Sequence, residues 1–293
     1  MAKTGPIRKV SVVSTGRVAI RPQHIATDGS PALWWALTER EWTQPLPINV
    51  FVIERDDGLV LFDTGQHRDS VTDPGYFPRG PLRLLYRRLG HAEIGPDETL
   101  TQLMAGIGCN VADVRLAVIS HLHHDHAGGL AELPNAEIVV AADEWKSMHD
   151  PLPATRGYFP RHIDLPGVRW RTVSPEPSQD PGLRPFQAAH DLFGDGSLVL
   201  LPTPGHTPGS VSLLVRRAGR SPLLMVGDLA FDLGCMAHER VPGVGKRSQS
   251  LDSTRKVNGL ARHHPGLVVL PAHDPTAGGR LAAAGRSTAA SAG

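Results

Sequence analysis

A layered α/β fold with one β-sheet packed on another is predicted for this chain, and three features of the sequence predict it. Short runs of β-branched and aliphatic residues fall into two groups, residues 10–13, 48–54, 59–62, 115–120 and 138–141, then 197–201, 211–215, 223–226 and 267–270. Segments with helical spacing, residues 98–106, 142–148 and 252–263, are interspersed among them. Several strands run into Gly- or Pro-containing turns that carry His or Asp, so polar residues collect at strand ends. Two strand groups with helices between them let each sheet cover both of its faces.

Taken in order, Val10 to Val13 begins the first sheet, and Ile48 to Glu54 with Leu59 to Phe62 flank Arg55-Asp56-Asp57-Gly58, a hairpin turn. Between them stand Leu33, Trp34, Trp35, Leu37 and Trp42, with three of the five tryptophans of the chain. Core packing and a pocket wall both fit such a cluster. Residues 66–96 place prolines and glycines around a basic, Leu-rich stretch at 83–89, which predicts an insertion with a short helix rather than a strand. Leu100, Leu103 and Met104 share one helical face, and 115–120 is a buried strand. Residues 150–195, including Arg156-Gly157-Tyr158-Phe159-Pro160, are dense in Pro and Gly and form a second irregular excursion. One domain is expected over 1–275, followed by a disordered tail at 276–293.

Lys and Arg total 30 against 29 for Asp and Glu, which removes any electrostatic case for nucleic acid or an anionic membrane as partner. The two cysteines, Cys109 and Cys235, make no disulfide framework and no CxxC spacing, and are expected as buried thiols. Residues 1–13 lack the apolar core of a signal peptide, and no run approaches the roughly 18 apolar residues of a membrane span. A soluble, cytoplasmic protein is expected, and a homodimer is compatible with these residues.

The chemistry concentrates at 121–126, His-Leu-His-His-Asp-His, between the strand 115–120 and the pair Gly128-Gly129. Three imidazoles and a carboxylate crowded this closely repel when protonated, so the segment makes best physical sense wrapped around cations such as Zn²⁺. Three later segments share its character: Pro204-Gly205-His206-Thr207-Pro208-Gly209, Val226-Gly227-Asp228 and Pro271-Ala272-His273-Asp274. Each alone is weak evidence for a ligand; together they are strong.

With Phe62-Asp63-Thr64-Gly65 as a fifth motif, the sequence resembles the metallo-β-lactamase superfamily over roughly residues 48–275. The resemblance implies an αββα sandwich with metals at one edge. It implies that His121, His123 and His206 hold one ion, that Asp125, His126 and His273 hold a second, that Asp228 bridges them, and that Asp63 supports the ligands from behind. His124 falls at a variable position and is expected to point away. Two divalent ions, zinc by default although manganese, iron or cobalt would fit, would then share a water and generate hydroxide, with Asp125 shuttling a proton to the leaving oxygen.

The spelling of 120–129 and the 45-residue step from Asp228 to His273 look most like the N-acyl homoserine lactone lactonase branch. A small ester or lactone is thus the expected substrate. That branch often has a tyrosine where this chain has Phe231; Tyr158 or Tyr76 could replace its hydroxyl, and Trp34, Trp42, Tyr158 and Phe231 are candidates for the pocket wall. Thioester, β-lactam and organophosphate hydrolysis use the same metal set and stay open, as does a non-catalytic metal-binding module.

Overall fold

The computed structural model describes residues 6–285. A seven-stranded sheet comprises β1 (Ile7–Ile20), β2 (Leu46–Arg55), β3 (Gly58–Phe62), β4 (Gly90–Glu93), β5 (Val114–Val118), β6 (Glu137–Ala141) and β7 (Arg169–Val173), in the order β4-β1-β2-β3-β5-β6-β7. A six-stranded sheet holds β8 (Glu176–Pro177), β9 (Ala188–Asp191), β10 (Leu198–Pro202), β11 (Val211–Val215), β12 (Leu223–Met225) and β13 (Val268–Leu270), in the order β13-β12-β11-β10-β9-β8.

Alternation along each strand decides the layering, because successive side chains point to opposite faces. Phe51, Ile53, Val60, Phe62, Val118 and Val139 of the first sheet pack with Leu200, Leu213, Val215, Met225 and Leu270 of the second in one buried cluster between the sheets. Their neighbours Val50, Val52, Leu61, Ala117, Ile119 and Val140 point the other way, onto Leu100, Met104, Met148 and Ile163 from helices on the outer face. On the second sheet Val199, Leu201, Leu214 and Leu224 pack outward against Met236, Val257 and Leu260. Two two-faced sheets with helices outside give the αββα sandwich. Each fully buried Leu, Val or Phe contributes about 1.5–3 kcal/mol over exposure, so the layering rests on many such residues.

The hairpin at 55–58 forms as expected, with Arg55 paired to Gly58. Elsewhere the excursions are more regular than the sequence indicates. Residues 66–96 carry the expected helix, Pro81–Leu89, and also β4, which pairs with β1. Residues 150–195 contain β7, β8 and β9; β7 is an edge strand in which only Val173 is buried, so its residues lack an alternating apolar signal. The expected tail needs correction: Ala277–Gly285 is a helix whose Ala277, Leu281 and Ala284 are buried in the core between the sheets, while 286–293 lie outside the described residues. Small residues at helical spacing made that face easy to miss. Cys109 and Cys235 are only partly buried. No helix among the described residues is long and apolar enough to cross a membrane.

The parallel pairs β3–β5 and β12–β13 bring strand C-termini to one edge of the sandwich. Beyond Phe62, Val118, Pro202, Met225 and Leu270 the chain turns, and every motif singled out above begins there. In open α/β sheets this is where ligands bind.

Candidate metal centre

The seven side chains named from the motifs converge at that edge in three overlapping groups: His121, His123 and His206; His121, His126 and Asp228; Asp125, His126 and His273. Within each group the potential donor atoms lie within 4.8 Å of one another.

Hydrogen bonds on the far sides of the rings decide which nitrogen faces inward. His126 Nδ1–H donates to Asp63 Oδ2 at 2.9 Å, and His273 Nδ1–H donates to the Pro47 carbonyl at 2.8 Å. Because carboxylates and carbonyls only accept, Nε2 of both rings is left facing the centre. There His126 Nε2 and His273 Nε2 each stand 3.2 Å from Asp228 Oδ1, and His273 Nε2 lies 3.5 Å from Asp125 Oδ2. The other Asp228 oxygen, Oδ2, is 3.4 Å from His206 Nε2, so this carboxylate spans both halves of the cluster.

In the other half, His123 Nε2–H donates to the Arg156 carbonyl at 2.9 Å, which turns Nδ1 inward to meet His121 Nε2 at 3.1 Å and His206 Nε2 at 3.0 Å. Burial and neighbouring imidazoles hold His121 well below the ordinary histidine range, and burial holds His206 down at about 3. The neutral His121 and His206 rings thus aim nitrogen lone pairs at the point that His123 Nδ1 also faces.

In the second half the carboxylates add their charge. Burial alone would lift the pKa of Asp125 and Asp228, but the imidazoles of His126 and His273 hold both well below the usual carboxylate range. Burial works against an imidazolium at His273, yet Asp228 and Asp125 outweigh it and raise its pKa to about 10; His126 is raised likewise. Positive charge must sit between these groups, as protons or as metal. Buried His126 Nε2 and Asp228 Oδ1 have no hydrogen-bond partner among the described residues. An oxygen- and nitrogen-donor set of this kind fits two divalent cations.

Asp63 sits behind the ligands at φ +62°, a left-handed conformation that Asp tolerates. Its carboxylate accepts Ser120 N–H at 2.7 Å, Ser120 Oγ–H at 2.9 Å and the His126 ring, while Ser120 Oγ lies 3.0 Å from His121 Nδ1. One carboxylate therefore orients two ligand rings.

Four further groups with no motif signal complete the frame. Glu144, 0 % exposed, accepts Leu122 N–H at 2.8 Å with one oxygen; its other oxygen accepts Thr207 Oγ–H at 2.7 Å and Gly209 N–H at 3.0 Å. It ties the 121–126 loop to the loop of His206. The Arg156 and Pro47 carbonyls are backbone atoms, invisible to residue-type patterns. At Gly157 φ is +90°, and a Cβ would run into the His123 ring, so glycine is required twice over.

The cluster forms the floor of a cavity of about 960 Å³, walled by apolar groups such as Val18, Ile20, Trp35, Leu85, Leu89 and Phe231. Phe231 stacks on the His273 ring (5.1 Å, 7°), and Tyr158 lines the wall 5.7 Å from His123. The Tyr158 hydroxyl lies beside Glu144 and Thr207, and Tyr76, 1 % exposed, stacks on His162 away from the cavity lining. Trp34 and Trp42 need correction. Trp34 is 64 % exposed because adjacent residues of a helix differ by about 100° in direction, and Trp35 takes the inward position. Trp42 lies under the Arg21 guanidinium, 3.5 Å from its ring centre, outside the cavity lining. His124 belongs to none of the donor groups; it stacks on Phe159 at 5.4 Å and lines the same cavity.

Comparison with known proteins agrees with this architecture. The metallo-beta-lactamase superfamily model matches residues 43–273. The N-acyl homoserine lactonase AttM of Rhizobium radiobacter is 32 % identical over 235 residues, covering 79 % of this chain and 83 % of that protein. A solved N-acyl homoserine lactone hydrolase with the product N-hexanoyl-L-homoserine at its catalytic metal centre superposes with a TM-score of 0.72 at 20 % identity, over 92 % of this chain and 94 % of that one. AidC, a dizinc quorum-quenching lactonase, superposes at 0.63 and 17 % identity, over 94 % and 90 %. Sandwich, strand-end motifs and family match lead to one conclusion: this chain belongs to the metallo-β-lactamase superfamily.

Proposed function

We propose that this chain is a metal-dependent hydrolase that opens the lactone ring of N-acyl homoserine lactones, adding water across the ester to give the N-acyl homoserine. The observation that carries this reading is the convergence of imidazole lone pairs and two carboxylates on the floor of an apolar cavity. Relatives named N-acyl homoserine lactonase support the substrate class.

Two divalent cations, zinc by the donor set and by the likeness to AidC, would be held by His121, His123 and His206 and by Asp125, His126 and His273, with Asp228 reaching both, and would supply Lewis acidity and a lowered pKa for water. The apolar wall receives the acyl chain and excludes bulk water. Asp125, with its side chain one-fifth exposed, is open to the cavity while His126 and His273 keep it ionised. It takes the proton of the attacking water and delivers it to the ring oxygen as the carbon–oxygen bond breaks. Asp63, Glu144 and the Arg156 carbonyl keep the rings in position throughout.

Acid release from short- and long-chain acyl homoserine lactones, measured with a pH indicator beside a thioester, a β-lactam and an aryl phosphotriester, tests the reading. Lactone-selective turnover is expected. Turnover of another class with none of the lactones would overturn it.

A further inference from the structure

Among the titratable side chains on the cavity wall that the centre described above does not use, His24 is held in a defined orientation. His24 lies in the short helix Pro22–Ile25 that follows β1, and it lines the same cavity as His123, Asp125 and Phe231. Its ring packs edge-on against Trp35, with centroids 4.7 Å apart. Ile25, the next residue, packs against the cluster of Val18, Ile20, Ile48 and Phe231, which anchors this segment on the Phe231 side of the cavity.

The hydrogen bonding of the ring fixes what it offers. Arg21 N–H donates to His24 Nδ1 at 3.2 Å, so in the neutral ring the hydrogen sits on Nε2. Burial lowers the pKa to about 4, which keeps the ring neutral at ordinary pH. No described residue accepts from Nε2–H. Nearby hydroxyls are already committed: Tyr86 donates to the Ala154 carbonyl and Thr207 to Glu144. Phe231 has no donor at all.

An acyl homoserine lactone carries two carbonyls into this space. The ester carbonyl is the electrophile and belongs at the metal ligands. The amide carbonyl enters a largely apolar chamber, where an unpaired acceptor is costly. We propose that His24 is a substrate-binding residue whose Nε2–H donates a hydrogen bond to the acyl amide carbonyl, an inference that rests on the lactonase reading above. His24 thereby separates N-acylated lactones from plain alkyl lactones.

The test compares an N-acyl homoserine lactone with an alkyl γ-lactone of matched length that lacks the amide, using metal-loaded wild type, His24→Phe, His24→Ala and His24→Gln. Phe and Ala remove the donor with opposite demands on space, so either one that folds and retains its metal gives the comparison. Both should raise KM for the acyl homoserine lactone about tenfold, the loss of one buried hydrogen bond, with kcat changed less than about twofold. KM for the alkyl lactone should not move, and Gln, which keeps an N–H, should recover part of the loss. Independently of any variant, N-acyl homoserine added to the zinc-loaded wild type should shift the His24 Nε2–H resonance. Equal weakening toward both lactones, an unchanged KM or an unmoved resonance would overturn the proposal. A wild type that opens neither lactone would remove the lactonase reading, and this inference with it.

Discussion

The two halves of the metal centre are built differently. His126 and His273 are pinned from behind by Asp63 and by the Pro47 carbonyl, groups at the end of β3 and within β2. His123 and His206 are held by contacts between loops, the Arg156 carbonyl behind His123 and Glu144 between the 121–126 loop and the loop of His206, while His121 leans through Ser120 on the same Asp63. One half inherits its geometry from the sheet; the other, His121 apart, is assembled by groups that bridge loops. The contacts between loops are the easier ones to loosen without unfolding the protein, since they are not strand pairings.

The largest expected effect comes from striking what both halves share. Asp228→Ala removes the carboxylate that faces His126, His273 and His206 together, and should abolish lactone hydrolysis and lower metal content in both halves. Asp125→Asn should also abolish hydrolysis but leave more metal bound. Elemental analysis beside turnover separates the two.

Glu144→Gln sharpens the comparison directly. An amide facing Leu122 N–H and Gly209 N–H cannot accept from both loops as the carboxylate does, so metal affinity in the His121–His123–His206 half should fall roughly 10–100-fold while the other half keeps its ion. Cobalt substitution with optical titration would resolve two sites of now unequal affinity. Two sites weakened equally would show that the halves are not independently supported. Gly157→Ala, which pushes on the His123 ring, should give a milder version of the same asymmetry.

A smaller effect concerns acid stability. His24 has a pKa of about 4 in the folded protein against an ordinary 6.5, so below pH 6.5 the unfolded chain takes up a proton that the folded chain refuses until about pH 4. Stability therefore falls as pH drops through that window. His24→Phe should flatten this part of the loss, visible as a smaller difference in Tm between pH 7 and pH 5. Smallest of all, Trp34→Ala and Trp42→Ala should leave turnover and chain-length preference unchanged, since neither ring lines the cavity.

How far the sequence reaches follows the same division. The seven converging side chains are legible because His and Asp at strand-end turns are unusual enough to register as a set. The layered fold is legible because strands buried on both faces are continuous apolar runs. What supports the loop-borne half is not: Arg156 acts through its carbonyl, Glu144 looks like any helix glutamate, and Gly157 is one of 31 glycines. Trp34 and Trp35 carry identical side chains, and only the helix direction decides which one lines the cavity. Short, weakly patterned strands such as β7 to β9, and a helix of small residues at 277–285, give no periodic signal strong enough to read.

Calorimetric titration of metal-stripped protein with zinc at pH 7, in buffers of different ionisation enthalpy, tests the central claim most directly. Two ions should bind per chain, with net release of the protons that His126 and His273 hold when no metal is present. Binding of one ion or none, or binding of two with no proton exchanged, would contradict the arrangement of lone pairs and carboxylates on which the proposed chemistry depends.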